Sequence, residues 1–227
     1  MKIVFDKVSK NFGSIPAIKN ISFEINPGEF VFIEGPSGSG KSTLLKLILH
    51  QIHPSSGKIN VNDIDYANCK KTDIENIRKN IGVIFQNYQL ISDKSVEENI
   101  ALNLDIIGIP EYQIGSRVEK VLKSVGLLSR RHLFPGQLSG GELQRAALAR
   151  ALSVEPKIIL ADEPTGNLDI ENAWNLLKLF KEINEKSNTT IIMTTHNQEI
   201  VSSLNKRKIY LKEGEIIKDS KVKNEKH

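Results

Sequence analysis

The amino-acid sequence predicts an α/β protein: a mostly parallel sheet core with an N-terminal antiparallel β-subdomain and an inserted helical subdomain. Three observations support this. The runs Phe30-Val31-Phe32-Ile33 and Ile158-Ile159-Leu160-Ala161 are apolar without a break, and Thr190-Ile191-Ile192-Met193-Thr194 has no apolar/polar alternation at its centre. Strands of that kind suit a parallel sheet covered on both faces. Between them lie apolar positions at helical spacing, so that strands alternate with helices. The N-terminal segment Ile21-Ser22-Phe23-Glu24-Ile25 instead alternates strictly, as a strand with one buried face does.

In chain order, the apolar start Ile3-Val4-Phe5 and the alternating segment at 21–25 read as antiparallel strands, followed by a turn at Asn26-Pro27-Gly28. Phe30-Val31-Phe32-Ile33 is a core strand, and a helix over 42–49 follows it across a glycine-rich turn. From about Gln86 to Pro135 the chain is mostly helical with no comparable apolar strand, which marks the insertion. Within it Ile114, Val118, Val121, Leu122 and Val125 share a helical face before Gly126, and Leu143, Ala146, Ala147 and Ala151 form a later stripe. Residues 1–217 are expected to form one domain. Lys218 to His227, with four lysines and one aliphatic side chain, is expected to be a disordered basic tail.

At 227 residues the chain can hold one large domain, or a core with a subdomain, but not a large multidomain machine. Its net charge of +4 is too small and too scattered for a nucleic-acid footprint, so no nucleic-acid partner is expected. The clusters Lys70-Lys71, Arg130-Arg131 and Lys206-Arg207-Lys208 accordingly read as solvated faces. The single Cys69 has no disulfide partner in the chain, and Met1-Lys2-Ile3-Val4-Phe5-Asp6 meets an acid before a signal-peptide core develops. Both point to the reducing cytosol. No apolar run approaches the roughly 20 residues that cross a bilayer, so a membrane role must go through a partner.

Gly35-Pro36-Ser37-Gly38-Ser39-Gly40-Lys41-Ser42 fits the phosphate-loop pattern G-x-x-x-x-G-K-[ST] and stands between an apolar strand and a helix that Thr43 continues. The glycines let backbone N–H groups turn toward phosphate oxygens, and the helix N-terminus adds a positive dipole. Lys41 is placed to reach the β and γ phosphates, and Ser42 to offer a hydroxyl to Mg²⁺. After the strand Ile158-Ile159-Leu160-Ala161 come Asp162 and Glu163, at the carboxyl edge where open parallel sheets bind ligands. Asp162 suits the Mg²⁺ shell, and Glu163 can polarise an attacking water.

Leu138-Ser139-Gly140-Gly141-Glu142, followed by Leu143-Gln144-Arg145, resembles the LSGG signature of ABC-type ATPases. Ser139 and Glu142 also form a capping box, and the two readings are compatible, since a capped helix N-terminus with glycine N–H groups suits a γ-phosphate. Further motifs of that family follow in its order along nearly the whole chain. Phe12 matches the aromatic that stacks on adenine, Gln86 the Q-loop, Asp169 the D-loop and His196 the switch histidine. The resemblance implies a P-loop NTPase of the ABC type that binds ATP with Mg²⁺ and hydrolyses it. It assigns catalysis to Glu163, His196 and Gln86, and the metal to Ser42, Gln86 and, through water, Asp162. Nucleotide contacts fall to Phe12, residues 35–43, Ser139, Gly140, Gly141 and Asp169. In that family the signature helix of one subunit closes on nucleotide held by the other, so two copies sandwich two ATP molecules. Phe12 in place of tyrosine, Asn197 after His196, and Glu142-Leu143 in place of Gln-Gln depart from the usual pattern without removing a group that hydrolysis needs.

Chromosome-type ABC ATPases insert a long coiled coil that has no counterpart between Lys41 and Ser139, and translation factors carry two cassettes where this chain has one phosphate loop. A subunit that partners a membrane protein remains. The stretch Asp162 to Asp169 resembles the group of FtsE-type division ATPases and LolD- or MacB-type export ATPases. Residues 77–86 and 90–100 are more similar to the FtsE type, with the LolD/MacB type as the alternative. The resemblance implies a homodimer, peripheral on the cytoplasmic face of the inner membrane, bound to an FtsX-like integral protein and acting in cell division. A docking surface is expected over Gln86 to Val96, with Tyr88, Leu90 and Ile91 gripping the partner; on apolarity alone, Leu90 and Ile91 equally suit packing beneath the helical subdomain.

Overall fold

Two sheets organise the chain in the computed structural model, which describes residues 1–197, 201–202 and 204–220. The first is antiparallel: β1 (Ile3–Phe12), β2 (Ile15–Ile25), β4 (Ser56–Val61) and β5 (Ile64–Asp65), in the order β2-β1-β4-β5. Ile3 lies opposite Ile25 and Phe5 opposite Phe23, and the two phenyl rings stack 4.7 Å apart. This is the N-terminal β-subdomain that the alternation at 21–25 predicts.

The second sheet follows the order β10-β9-β3-β8-β7-β6. Its strands are β3 (Phe30–Glu34), β6 (Ile81–Ile84), β7 (Ile158–Asp162), β8 (Thr190–Thr195), β9 (Arg207–Lys212) and β10 (Glu215–Ser220). All neighbours pair in parallel except β10, which closes one edge antiparallel to β9. The unbroken apolar runs are divided residue by residue between two cores. Phe30, Phe32, Ile159, Ala161, Ile191 and Met193 face one core. Val31, Ile33, Ile158, Leu160 and Ile192 face the other. Each such side chain larger than alanine, fully buried, contributes roughly 1.5–3 kcal/mol, and both faces being covered explains why no polar alternation survives.

The first core is covered by α3 (Val96–Ile106), α4 (Glu111–Ser124), α5 (Gly140–Leu152) and α6 (Ile170–Ser187). The second lies under α1 (Lys41–Ile48), α2 (Lys71–Lys79) and the antiparallel sheet. The predicted stripe on α4 is buried at Val118, Val121 and Leu122, with Val125 just beyond the helix end. Because α5 packs in the same core as α3 and α4, the helical part of the fold continues past Pro135 into the signature helix.

Two expectations need correction. Lys218, Asp219 and Ser220 are not tail but the end of β10; the rest of the expected tail, 221–227, lies outside the described residues. Arg207 is not on a solvated face, being only 5% exposed. Its guanidinium donates to both carboxylate oxygens of Asp219 (2.9 and 2.6 Å), to Glu29 Oε2 (2.7 Å) and to the Glu24 carbonyl (2.7 Å). The fork geometry of arginine makes that bidentate grip, which a run of three basic residues does not reveal. Arg130 and Arg131 are also paired, with Glu142 and Glu97.

Candidate active site

Strand register brings the predicted site together at the carboxyl edge of the parallel sheet. Glu34, just before the phosphate loop, lies beside Thr195; Asp162 lies beside Thr194; and Ile84, two residues before Gln86, lies beside Ala161. Residues far apart in the chain thus meet at the strand ends, where a doubly covered sheet leaves its crevice.

The phosphate loop is shaped by close backbone approach. A side chain at Gly35 would meet the Leu211 carbonyl at 2.1 Å, and one at Gly40 would meet the Ala17 carbonyl at 2.6 Å. Gly40 is also in the left-handed region, with φ 105°, where it starts α1 without a side-chain cap and with no acid in the first turn. The first-turn N–H groups are therefore left for an anionic ligand. Lys41 is 6% exposed and donates to the carbonyls of Gly35 (2.8 Å) and Pro36 (3.0 Å), with Glu163 Oε1 3.3 Å away. Ser39 Oγ is buried without a hydrogen-bond partner. A glycine cradle, an uncapped helix, a buried cation and an orphaned hydroxyl together fit a polyphosphate.

The carboxylates stand across from this loop. Glu163 has φ 46°, unusual for a residue with a side chain, and its N–H donates to Thr194 Oγ1 (2.9 Å). The Thr194 hydroxyl donates in turn to Asp162 Oδ1 (2.7 Å). The Glu163 carboxylate lies between Lys41 and His196, whose Nδ1 is 2.5 Å from Oε2. Gln86 is exposed, and its amide nitrogen and Glu163 Oε2 border the same small residue, each 3.8 Å from where a side chain on Gly166 would begin. No cluster of three or more His, Cys, Asp or Glu suited to a metal occurs among the described residues. The oxygens of Ser42, Asp162 and Gln86 do suit Mg²⁺, which takes few protein ligands when phosphates supply the others.

The remaining predicted residues lie apart. Phe12 ends β1, is 49% exposed, and has Lys10 Nζ 5.2 Å from its ring centre, which leaves an aromatic face for stacking. Ser139 caps α5, accepting from the Glu142 N–H (3.3 Å) while Glu142 Oε2 accepts from the Ser139 N–H (2.9 Å). The Ser139 bond holds the Glu142 carboxyl below its usual range. Asp169 caps α6 through the N–H of Asn172 (2.8 Å), which lowers its pKa. Asn172 also sets the closeness of the signature: a side chain at Gly141 would come within 2.8 Å of its Oδ1. Among the described residues no hydrogen bond or ion pair joins Ser139, Gly140, Gly141 or Asp169 to residues 35–43. One chain thus presents two half-sites.

The docking expectation is partly corrected. Val96 is buried, and Tyr88 and Leu90 pack against the first core, so of the three side chains only Ile91 is exposed. Ile91 joins a groove of about 310 Å³ that also includes Phe85, Gln89, Leu102, Ile106 and Arg150. Sequence reasoning missed Arg150, whose guanidinium donates to the carbonyls of Tyr88 and Gln89, and Asn99, whose side chain bonds Ile91 through both its N–H and its carbonyl. It also missed Thr194 as a site residue, because a threonine inside an apolar run reads only as strand.

Comparison with known proteins agrees with this geometry. The family profile described as ABC transporter matches residues 18–166, more than half of the chain. The chain is 44% identical over 205 residues to the cell division ATP-binding protein FtsE of Bacillus subtilis, covering 90% of each chain. It is 42% identical to FtsE of Escherichia coli K12, covering 94% of this chain and 96% of that one. The dimeric structure of a bacterial ABC transporter cassette superposes with a TM-score of 0.88 at 35% identity, over 98% of this chain and 99% of the other. A phosphate loop, a carboxylate pair and a separate signature helix on this fold therefore place the chain in the ABC transporter family, as an ATP-binding subunit similar to FtsE.

Proposed function

We propose that this chain works as the ATPase of an FtsE-type complex, in which two copies close on two ATP molecules and move an FtsX-like integral partner at the cytoplasmic face of the inner membrane. That motion would control peptidoglycan hydrolases during division. The observation that carries the reading is the position of Glu163, held beside Lys41 and against His196 at the mouth of the phosphate loop.

In this reading Lys41 and the first-turn N–H groups of α1 bind and orient the phosphates, and Phe12 stacks on the base. Ser42, Gln86 and, through water, Asp162 would hold Mg²⁺, which would supply neutralisation of phosphate charge. Glu163 takes a proton from the attacking water, with His196 fixing its carboxylate. Ser139 and the glycines of the partner copy complete the γ-phosphate site, which explains why the two half-sites of one chain do not touch. The groove containing Ile91 and Ile106, 39% and 71% exposed, supports docking of an apolar helix from the membrane partner. No helix among the described residues is long and apolar enough to cross a membrane.

The test is Glu163→Gln. Turnover should fall about 100-fold or more, and with ATP the protein should elute as a stable dimer in size-exclusion chromatography. Unchanged turnover would remove Glu163 from its assigned role. Identification of the membrane protein that co-purifies with the chain tests the division assignment.

A further inference from the structure

We propose that Thr194 is the positioning residue of the carboxylate pair, selecting the rotation of Asp162 and the backbone conformation of Glu163 through a single hydroxyl. The inference rests on the ATPase reading. Thr194 is fully buried on β8, directly beside Asp162 of β7. Its oxygen accepts the Glu163 N–H at 2.9 Å, so its one proton goes to Asp162 Oδ1 at 2.7 Å. The orientation is therefore unambiguous, which is uncommon for a hydroxyl rotor.

Two consequences follow. With Oδ1 engaged by Thr194, Oδ2 would be the carboxylate oxygen left to meet a water on Mg²⁺. Glu163 sits in the left-handed region that side chains avoid, and the bond from its N–H holds it there, aiming its carboxylate at Lys41 and His196. The Asp162 carboxylate cannot turn, nor the Glu163 backbone, without breaking a hydrogen bond to the buried Thr194 hydroxyl. Thr194 touches no reacting atom and acts only through these two residues.

The experiment compares the full chain with Thr194→Val, which keeps the branched shape and removes the hydroxyl, and with Thr194→Ser, which keeps the hydroxyl. Thr194→Val should lower kcat about tenfold or more while the affinity for a fluorescent ATP analogue changes less than about threefold, and should raise the Mg²⁺ concentration for half-maximal turnover severalfold. Thr194→Ser should restore kcat to within about threefold of the parent. The Glu163 amide hydrogen should exchange with solvent at least about tenfold faster in Thr194→Val. Parent-like kcat in Thr194→Val, or a serine variant as impaired as the valine one, overturns the proposal, since packing of the methyl would then be what matters. If the parent chain itself hydrolyses no ATP, the ATPase reading fails separately, and unaltered exchange at Glu163 in Thr194→Val still overturns the role of Thr194.

Discussion

The two edges of the parallel sheet are built on opposite terms. At the amino edge polar groups are matched: Asn184 donates to the carbonyls of Gly28 and Thr189, Thr189 Oγ1 to Pro156, and the Gly28 N–H to Thr190 Oγ1. Arg207 ties the starts of β3 and β9 to β2 and β10 there. At the carboxyl edge groups are left unmet: Ser39 Oγ and Glu34 Oε1 are buried without partners, and α1 is uncapped. Matched polar groups thus gather at one edge and unmet ones at the other, the distribution expected where a binding site needs unsatisfied groups that a folded core cannot carry everywhere.

Mutations at the two edges should accordingly separate activity from stability. The largest effect is expected from Lys41→Ala at the carboxyl edge, which should reduce ATP turnover by more than about 100-fold. Its urea midpoint should move less than that of the amino-edge variant, and the reverse ranking would break the contrast. Arg207→Ala should cost about 3–5 kcal/mol, because Asp219 and Glu29 lose a buried partner. Turnover per folded molecule should remain at the parent level, measured below the unfolding transition.

The smallest effect sharpens the contrast within the carboxyl edge. Burial raises the pKa of Glu34, an effect only partly offset by Lys208. A carboxyl whose folded pKa is the higher one opposes folding once it ionises. The penalty is absent where both states are protonated and grows as pH rises past the unfolded value of about 4.3. Glu34→Gln should therefore raise the melting temperature at pH 7 to 8, and the gain should fade toward pH 4. A gain that persisted at pH 4 would show that shape rather than charge is at issue.

Local order along the chain made much of this legible. The phosphate loop, the Asp162-Glu163 pair and the cap at Ser139 each occupy a few consecutive residues, so their chemistry can be read without knowing what lies opposite. Arg207 could not be placed that way, because its partners sit in β2, β3 and β10 and three adjacent cations look solvated. Leu90 is indistinguishable from Ile91 by apolarity, and only packing against the first core separates them.

By itself the sequence determined the fold class and placed candidate groups for phosphate chemistry at the ends of apolar strands, since periodicity and short motifs are properties of neighbours in the chain. Tertiary structure alone decided that Glu163 meets both Lys41 and His196, that the Thr194 hydroxyl bonds both Asp162 and the Glu163 N–H, and that the signature stands apart from the loop in its own chain. The reason is physical: strand register sets which side chains face each other across the sheet, and register is fixed by the burial of two cores at once rather than by any local run of residues.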